Sequence, residues 1–392
     1  MEKTSHFGQT PRPVSNTKFR SDCRKILIVR LGSFGDILHT IPAQQQISLQ
    51  LPKIQIDWLT GPAYGDLLSS VPGISKVWVT NIKGLKRRPW SVHEIFHLFQ
   101  TLRGQCFDVA LDFQGLIKSS IMARLCGAQR VLGFPPESCR EPAASYFYTD
   151  TVGSDNNHLH IIENNLRLSS FLGCQPSQIT PFIPLNIDDQ DKHYVDIQLK
   201  QLQVENPILI NPGAGWVTKR WSAKNYYTLS TKIQSQLGLP VVFTYGPGEE
   251  HLMKDIRSNT TSHKILAFPT NILQLAALCR RSRLLIGGDT GPLHLAVATG
   301  TPTVAIMGPT AAWRNGPYHP DDEIVRRDLL CSNSYRRKCY QCTCMDIPVE
   351  EVFQAVIRRL ARKSHNHAFI EKNSSYLDKE TFSQKNKSQS EK

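Results

Sequence analysis

Four short stretches carry residues whose types and spacing could do chemistry. RLGSFGDILHTIPA, Arg30 to Ala43, sets two glycines and a serine before a lone carboxylate, Asp36. A carboxylate at a helix N-terminus is stabilised in its charged form. Facing a cleft, it could accept a proton from a substrate hydroxyl; taken alone, it reads first as a helix cap. GGDTGPLH sets Asp289, Thr290 and Gly291 at a helix start, with His294 one turn on. The first N–H groups and the helix dipole there suit a diphosphate, and glycine lets an anion approach the backbone closely. His294 either meets that ligand or caps a packing face. NPGAGWVTKRW carries Thr218 and Lys219, a hydroxyl and a compact cation that could both reach phosphate oxygens, or sit in a solvated loop. TYGPGEEHL carries Glu249 and Glu250, either of which could accept from ribose hydroxyls or serve as ordinary helix capping.

Basic residues gather in the first half. KGLKRRPW holds Lys83, Lys86, Arg87 and Arg88; DFQGLIKSS holds Gln114 and Lys118; SCREPAASYFY holds Arg140. This asymmetric charge fits an acidic acceptor on that half. Neither G-x-G-x-x-G nor a Walker loop occurs, so a nicotinamide oxidoreductase or a P-loop enzyme is disfavoured. RNA-reading and helix-turn-helix signatures are lacking, so no nucleic-acid partner is expected. Cys331, Cys339, Cys342 and Cys344 cluster in CSNSYRRKCYQCTC. Four thiols can hold a structural zinc, but the spacing is irregular, with a single CxxC. Free or redox-labile thiols are the stronger expectation.

These loops need strands before them and helices after them, and the sequence supplies both. Lys25–Leu31, Ile54–Thr60, Ser75–Thr80, Phe107–Asp112 and Arg130–Phe134 read as buried strands. Ile37–Leu49, Val92–Leu102 and Ser119–Leu125 read as helices between them. Residues 174–190 lapse into a Pro-rich polar stretch that reads as a linker. The alternation then restarts. Pro207–Asn211, Val241–Tyr245, Leu284–Gly287 and Thr303–Met307 read as strands. Ala223–Leu237, Asn271–Cys279, Gly291–Ala298 and Val349–Leu360 read as helices. Such βαβ alternation predicts an α/β chain with parallel sheets. The expected organisation is a disordered arm at 1–23, one α/β domain at 24–180, a second at 181–363 and a disordered tail at 364–392.

The chain has 392 residues, 40% of them hydrophobic and 20% charged, ordinary for a soluble enzyme with a real core. Its net charge of +13 favours an acidic partner: a phosphorylated substrate, an anionic membrane surface or nucleic acid. No apolar run approaches the roughly 20 residues needed to span a bilayer. Ten cysteines scattered through so long a chain fit a reducing cytosol better than a disulfide scaffold.

RLGSFGDILHTIPA, DFQGLIKS, REPAASYFY, the Thr218-Lys219 loop and GGDTGPLHLA, in that order, resemble the ADP-heptose:lipopolysaccharide heptosyltransferases of glycosyltransferase family 9. The resemblance covers roughly residues 24–360. DFQGLIKS and REPAASYFY resemble the heptosyltransferase I type, which adds the first heptose to Kdo; the cysteine cluster resembles the type II proteins. The resemblance implies a B-type glycosyltransferase fold, two Rossmann-like domains facing a central cleft, and an inverting transfer without a metal or other cofactor. Asp36 then matches the general base. Lys219 matches a catalytic phosphate contact. Gly35, Thr218, Asp289, Thr290, Gly291, His294 and one of Glu249 and Glu250 match the ADP-heptose site. Lys83, Lys86, Arg87, Arg88, Gln114, Lys118 and Arg140 would meet Kdo and the lipid A phosphates. A cytoplasmic monomer, peripheral on the inner membrane, is the matching expectation. The alternatives are a family 9 enzyme with another acceptor, and a non-catalytic nucleotide-sugar-binding protein.

Overall fold

The computed structural model describes residues 23–81, 91–153, 158–175, 182–259 and 265–362. The expected terminal arms, the run Lys83–Arg88 and residues 176–181 of the expected linker lie outside them. Twelve strands form among the described residues. β1 (Lys25–Val29), β2 (Gln55–Thr60), β3 (Lys76–Val79), β4 (Val109–Asp112), β5 (Arg130–Gly133) and β6 (Asp150–Thr151) make one sheet, in the order β3-β2-β1-β4-β5-β6. β7 (Ile208–Asn211), β8 (Val241–Tyr245), β9 (Ala267–Pro269), β10 (Leu284–Gly288), β11 (Thr303–Met307) and β12 (Glu323–Arg326) make the other, in the order β9-β8-β7-β10-β11-β12. All neighbours are parallel.

The two sheets therefore share one doubly wound topology, and each reverses its winding beside its first strand. The reversal falls between β1 and β4 in the first sheet and between β7 and β10 in the second. Ligands of such sheets bind beyond the carboxyl ends of the strands at that switch point. Asp36 follows β1, Gln114 follows β4, Lys219 follows β7 and Asp289 follows β10. The fold thus brings four motif-bearing loops to the two switch points.

Burial explains why the central strands read as unbroken apolar runs. Ile26, Leu27, Ile28 and Val29 of β1 and Leu284, Leu285 and Ile286 of β10 are wholly excluded from solvent. Sheets covered on both faces need no polar alternation. One core runs from the first sheet to the helix Gly291–Ala298 of the second half, through Leu293, Leu295 and Ala296. A second core lies between the second sheet and the helices Ala223–Leu237 and Val349–Ala361.

Several elements depart from the sequence expectation. The first helix begins at Phe34 rather than Ile37, because Ser33 is its extended N-cap. The helix expected from Ser119 begins at Ile117. A helix not foreseen, Asp189–Leu202, starts inside the expected linker, where the Asp188 carboxylate accepts from the Asp191 N–H. A second unforeseen helix, Ile161–Ser170, packs on Phe34–Gln50.

Candidate active site

The loop after β1 is built around a carboxylate. Asp36 stands at the third position of the helix Phe34–Gln50. Its Oδ2 accepts from the Ser33 N–H at 3.1 Å and the Ser33 hydroxyl at 3.0 Å. Its Oδ1 pairs with an Arg30 guanidinium nitrogen at 3.0 Å. Burial pushes the Asp36 pKa up, but Arg30, the two Ser33 donors and the more distant Arg314 outweigh it. The net effect lowers the pKa, so the group is a carboxylate at neutral pH. The Asp36 side chain still keeps 34% of its surface exposed.

The matching loop after β10 is built around another. Asp289 is buried, and three donors reach it. Lys219 Nζ lies 2.7 Å from its Oδ2, Thr310 donates its hydroxyl to Oδ2 at 2.6 Å, and His294 Nε2 lies 3.1 Å from Oδ1. Burial opposes ionisation, yet His294 and Lys219 together hold the Asp289 carboxyl well below the usual carboxylate range. Lys219 also donates to the Asp289 carbonyl and lies over the Trp216 ring. Thr290 caps the helix Gly291–Ala298 in extended geometry without a side-chain cap hydrogen bond. The first N–H groups of that helix are therefore available to an anion.

The two loops meet. A Cβ on Gly35 would lie 2.7 Å from His294 Cδ2, and a Cβ on Gly291 would lie 2.0 Å from Phe34 Cδ1. Glycine at both positions lets two helix N-termini, one from each half, approach face to face. Gly35, expected at the donor, is in this structure the seat of the His294 ring. His294 therefore binds Asp289 through its nitrogen and touches the residue next to Asp36 through its carbon edge.

The remaining expected residues divide. Glu249 donates nothing and accepts from Gly246 N–H at 2.9 Å; its carboxylate lies against Gly213 in the NPGAG loop. Glu250 is exposed and accepts from Gly248 N–H. Of the pair, Glu249 is the one turned toward the β7 loop. Thr218 is buried and donates its hydroxyl to the Arg336 carbonyl at 2.8 Å, so it braces the loop that carries Lys219. Gln114 accepts the Leu31 N–H at 2.8 Å and ties the β4 loop to the β1 loop. Lys118 and Arg140 are exposed. The four clustered cysteines are free thiols, and among the described residues no group of three His, Cys, Asp or Glu is placed to hold a metal ion.

Sequence reasoning missed Arg30, Asp112 and Thr310. Asp112, at the end of β4, is fully buried and accepts from the Gln114 N–H, the Ser119 hydroxyl and the Tyr148 hydroxyl at 2.8, 2.8 and 2.7 Å. Burial raises its pKa despite these donors and Arg30. It fastens DFQGLIKS to the SYFY segment. It also missed two more histidines at the junction. The His39 ring lies 4.3 Å from His294 and 5.7 Å from His160, centroid to centroid, and all three are buried.

Two doubly wound domains, with a helix start free of a side-chain cap in one meeting a partly exposed carboxylate in the other, have the architecture of a B-type glycosyltransferase. Residues 95–344 match the model of glycosyltransferase family 9 (heptosyltransferase), and the chain belongs to that family. It is 25% identical over 334 residues to lipopolysaccharide heptosyltransferase 1 of Pseudomonas aeruginosa, across 83% of this chain and 89% of that protein. It is 26% identical over 305 residues to the lipopolysaccharide core heptosyltransferase OpsX of Haemophilus influenzae, across 77% of this chain and 84% of that one. Among solved structures, a family 9 glycosyl transferase from Veillonella parvula superposes with a TM-score of 0.74 at 20% identity, covering 86% of this chain and 97% of that one. Escherichia coli heptosyltransferase WaaC with ADP gives 0.68 at 21% identity, covering 86% and 99%. The fold expected from the sequence is the fold found.

Proposed function

We propose that the protein transfers heptose from ADP-heptose to Kdo of the lipopolysaccharide inner core, with inversion and without a metal ion. The observation that carries this reading is the contact between the two half-sites: His294 holds Asp289 and packs on Gly35, beside Asp36. In this reading the ADP-heptose diphosphate lies at the N-terminus of the helix Gly291–Ala298, and Glu249 meets the ribose. The acceptor hydroxyl enters from the first domain, past Lys118 and Arg140. Asp36 takes its proton as the new C–O bond forms at the anomeric carbon. The bond from that carbon to the diphosphate oxygen breaks, and ADP leaves with the electron pair. Lys219 and the helix N-terminus offset the charge that gathers on it.

The names of the similar proteins support heptose as the transferred sugar, lipopolysaccharide as the acceptor and, through the Pseudomonas protein, the type I assignment. The net charge of +13 supports work at an anionic membrane surface, where the protein would act as a peripheral, cytoplasmic monomer. Among the described residues no helix is long and apolar enough to cross a membrane. The test is product formation from ADP-heptose and Kdo₂-lipid A with EDTA present, against UDP- and GDP-sugars as alternative donors. EDTA-resistant product from ADP-heptose alone is expected. Equal use of another donor, or loss of product in EDTA, would overturn the reading.

A further inference from the structure

Arg30 is the first residue after β1, and its side chain is buried. Removing a guanidinium from water is unfavourable unless partners surround it. One of its terminal nitrogens lies 3.0 Å from Asp36 Oδ1, and the other donates to the Phe113 carbonyl. Its Nε is buried with no hydrogen-bond partner. Phe113 stands between Asp112 and Gln114, and Gln114 in turn accepts the N–H of Leu31, the residue after Arg30. The β1 loop and the β4 loop are thus joined at two adjacent points, and Arg30 is the one that also reaches the carboxylate.

A carboxylate offers about four lone-pair sites. Ser33 occupies two on Oδ2 and Arg30 occupies one on Oδ1, which leaves one, on Oδ1, for an incoming hydroxyl. We propose that Arg30 is the positioning residue of the transfer: it fixes which lone pair of Asp36 is open and ties that carboxylate to the acceptor-side loop through the Phe113 carbonyl. This rests on the reading of Asp36 as base. The other charged or titratable groups around Asp36 are Arg314 and His294 from the second domain, Tyr64 from the turn after β2, and His39 from the same helix. Arg30 is the one of them bonded to it.

The test is the pH profile of kcat/KM for the full-length wild type, Arg30→Gln and Arg30→Lys, with ADP-heptose and Kdo₂-lipid A, alongside calorimetric ADP binding. Arg30→Gln should move the acid limb up by about one pH unit or more, since an opposite charge in contact is lost. Its kcat should fall tenfold or more while the ADP Kd stays within twofold. Arg30→Lys should keep the acid limb near wild type but lower kcat, because an ammonium cannot bridge Asp36 and Phe113 as the planar fork does. An unmoved acid limb in Arg30→Gln, with normal ADP binding, would overturn the proposal. If Arg30→Gln does not fold, Arg30→Lys decides, and wild-type kcat in it would overturn the proposal. Failure of the base reading shows elsewhere, as turnover retained by Asp36→Asn.

Discussion

Asp289 is the residue on which the second half-site depends. It is buried, and Lys219, Thr310 and His294 all converge on it. Removing one partner of a buried pair leaves the other charge uncompensated. Lys219→Met should therefore destabilise the protein by about 3 kcal/mol, and Asp289→Asn in the same background should recover part of that loss. Thermal unfolding of the two single variants and the double variant measures it. Additive losses would contradict the coupling. Asp36, Lys219 and Asp289 were legible in the sequence because each stands between an apolar run and a helical pattern, and His294 because it lies one turn into the helix that follows Asp289. Arg30, Asp112 and Thr310 were not, because their roles depend on which strands lie side by side. Thr310 reaches Asp289 because β11 lies beside β10, and Arg30 reaches Phe113 because β4 lies beside β1. Strand order is not written in the spacing of a single chain.

At the scale of elements, the junction of two helix starts has a consequence that opposes helix propensity. Gly291 has ordinary helical backbone geometry, so Gly291→Ala would normally stabilise its helix by a few tenths to about 1 kcal/mol. Here the new Cβ would fall 2.0 Å from Cδ1 and 2.7 Å from Cβ of Phe34. The near end of that side chain cannot swing clear. Gly291→Ala should instead lower stability by about 1–3 kcal/mol, and Phe34→Ala added to it should relieve the clash. A raised melting temperature in Gly291→Ala would show that the two starts do not meet. The long buried strands were legible as elements, as were helices such as Ala223–Leu237, whose end at a left-handed Gly238 is an ordinary stop signal. β6, β9 and β12 were not: β6 and β9, of two and three residues, are too short to display a period, and β12 carries only two apolar residues between charged ones.

At the scale of the molecule, the two domains are pinned by buried histidines. His160 accepts from the Ile162 N–H through Nδ1, and its Nε2 lies 3.0 Å from the Gly316 carbonyl of the second domain. Tyr318 of that domain donates to Glu163. Burial is the main cause that depresses the His160 pKa to about 4 and drives that of His39 well below the ordinary histidine value. A depressed folded-state pKa means that the unfolded chain binds more protons across the interval. Stability is then full above about pH 6.5 and falls as the pH drops toward 4, by up to about 3 kcal/mol for His160. The melting temperature should fall between pH 7 and pH 5, and His160→Gln should flatten that fall. A wild-type profile that is level over this range would contradict the account. The division into two α/β halves was foreseeable, but the sheet order they share was not. The histidine seam was not, since His39, His160 and His294 lie far apart in sequence and meet only when the halves face each other.

The central claim is that Asp36 acts on an acceptor while the loops around Asp289 hold the donor. The most direct measurement is kcat for Asp36→Asn with ADP-heptose and Kdo₂-lipid A, paired with its Kd for ADP. The account predicts a fall in kcat of about 10²–10⁴ with ADP affinity unchanged. Near wild-type turnover in Asp36→Asn would contradict the base assignment, and loss of ADP binding in it would contradict the division of labour between the two domains.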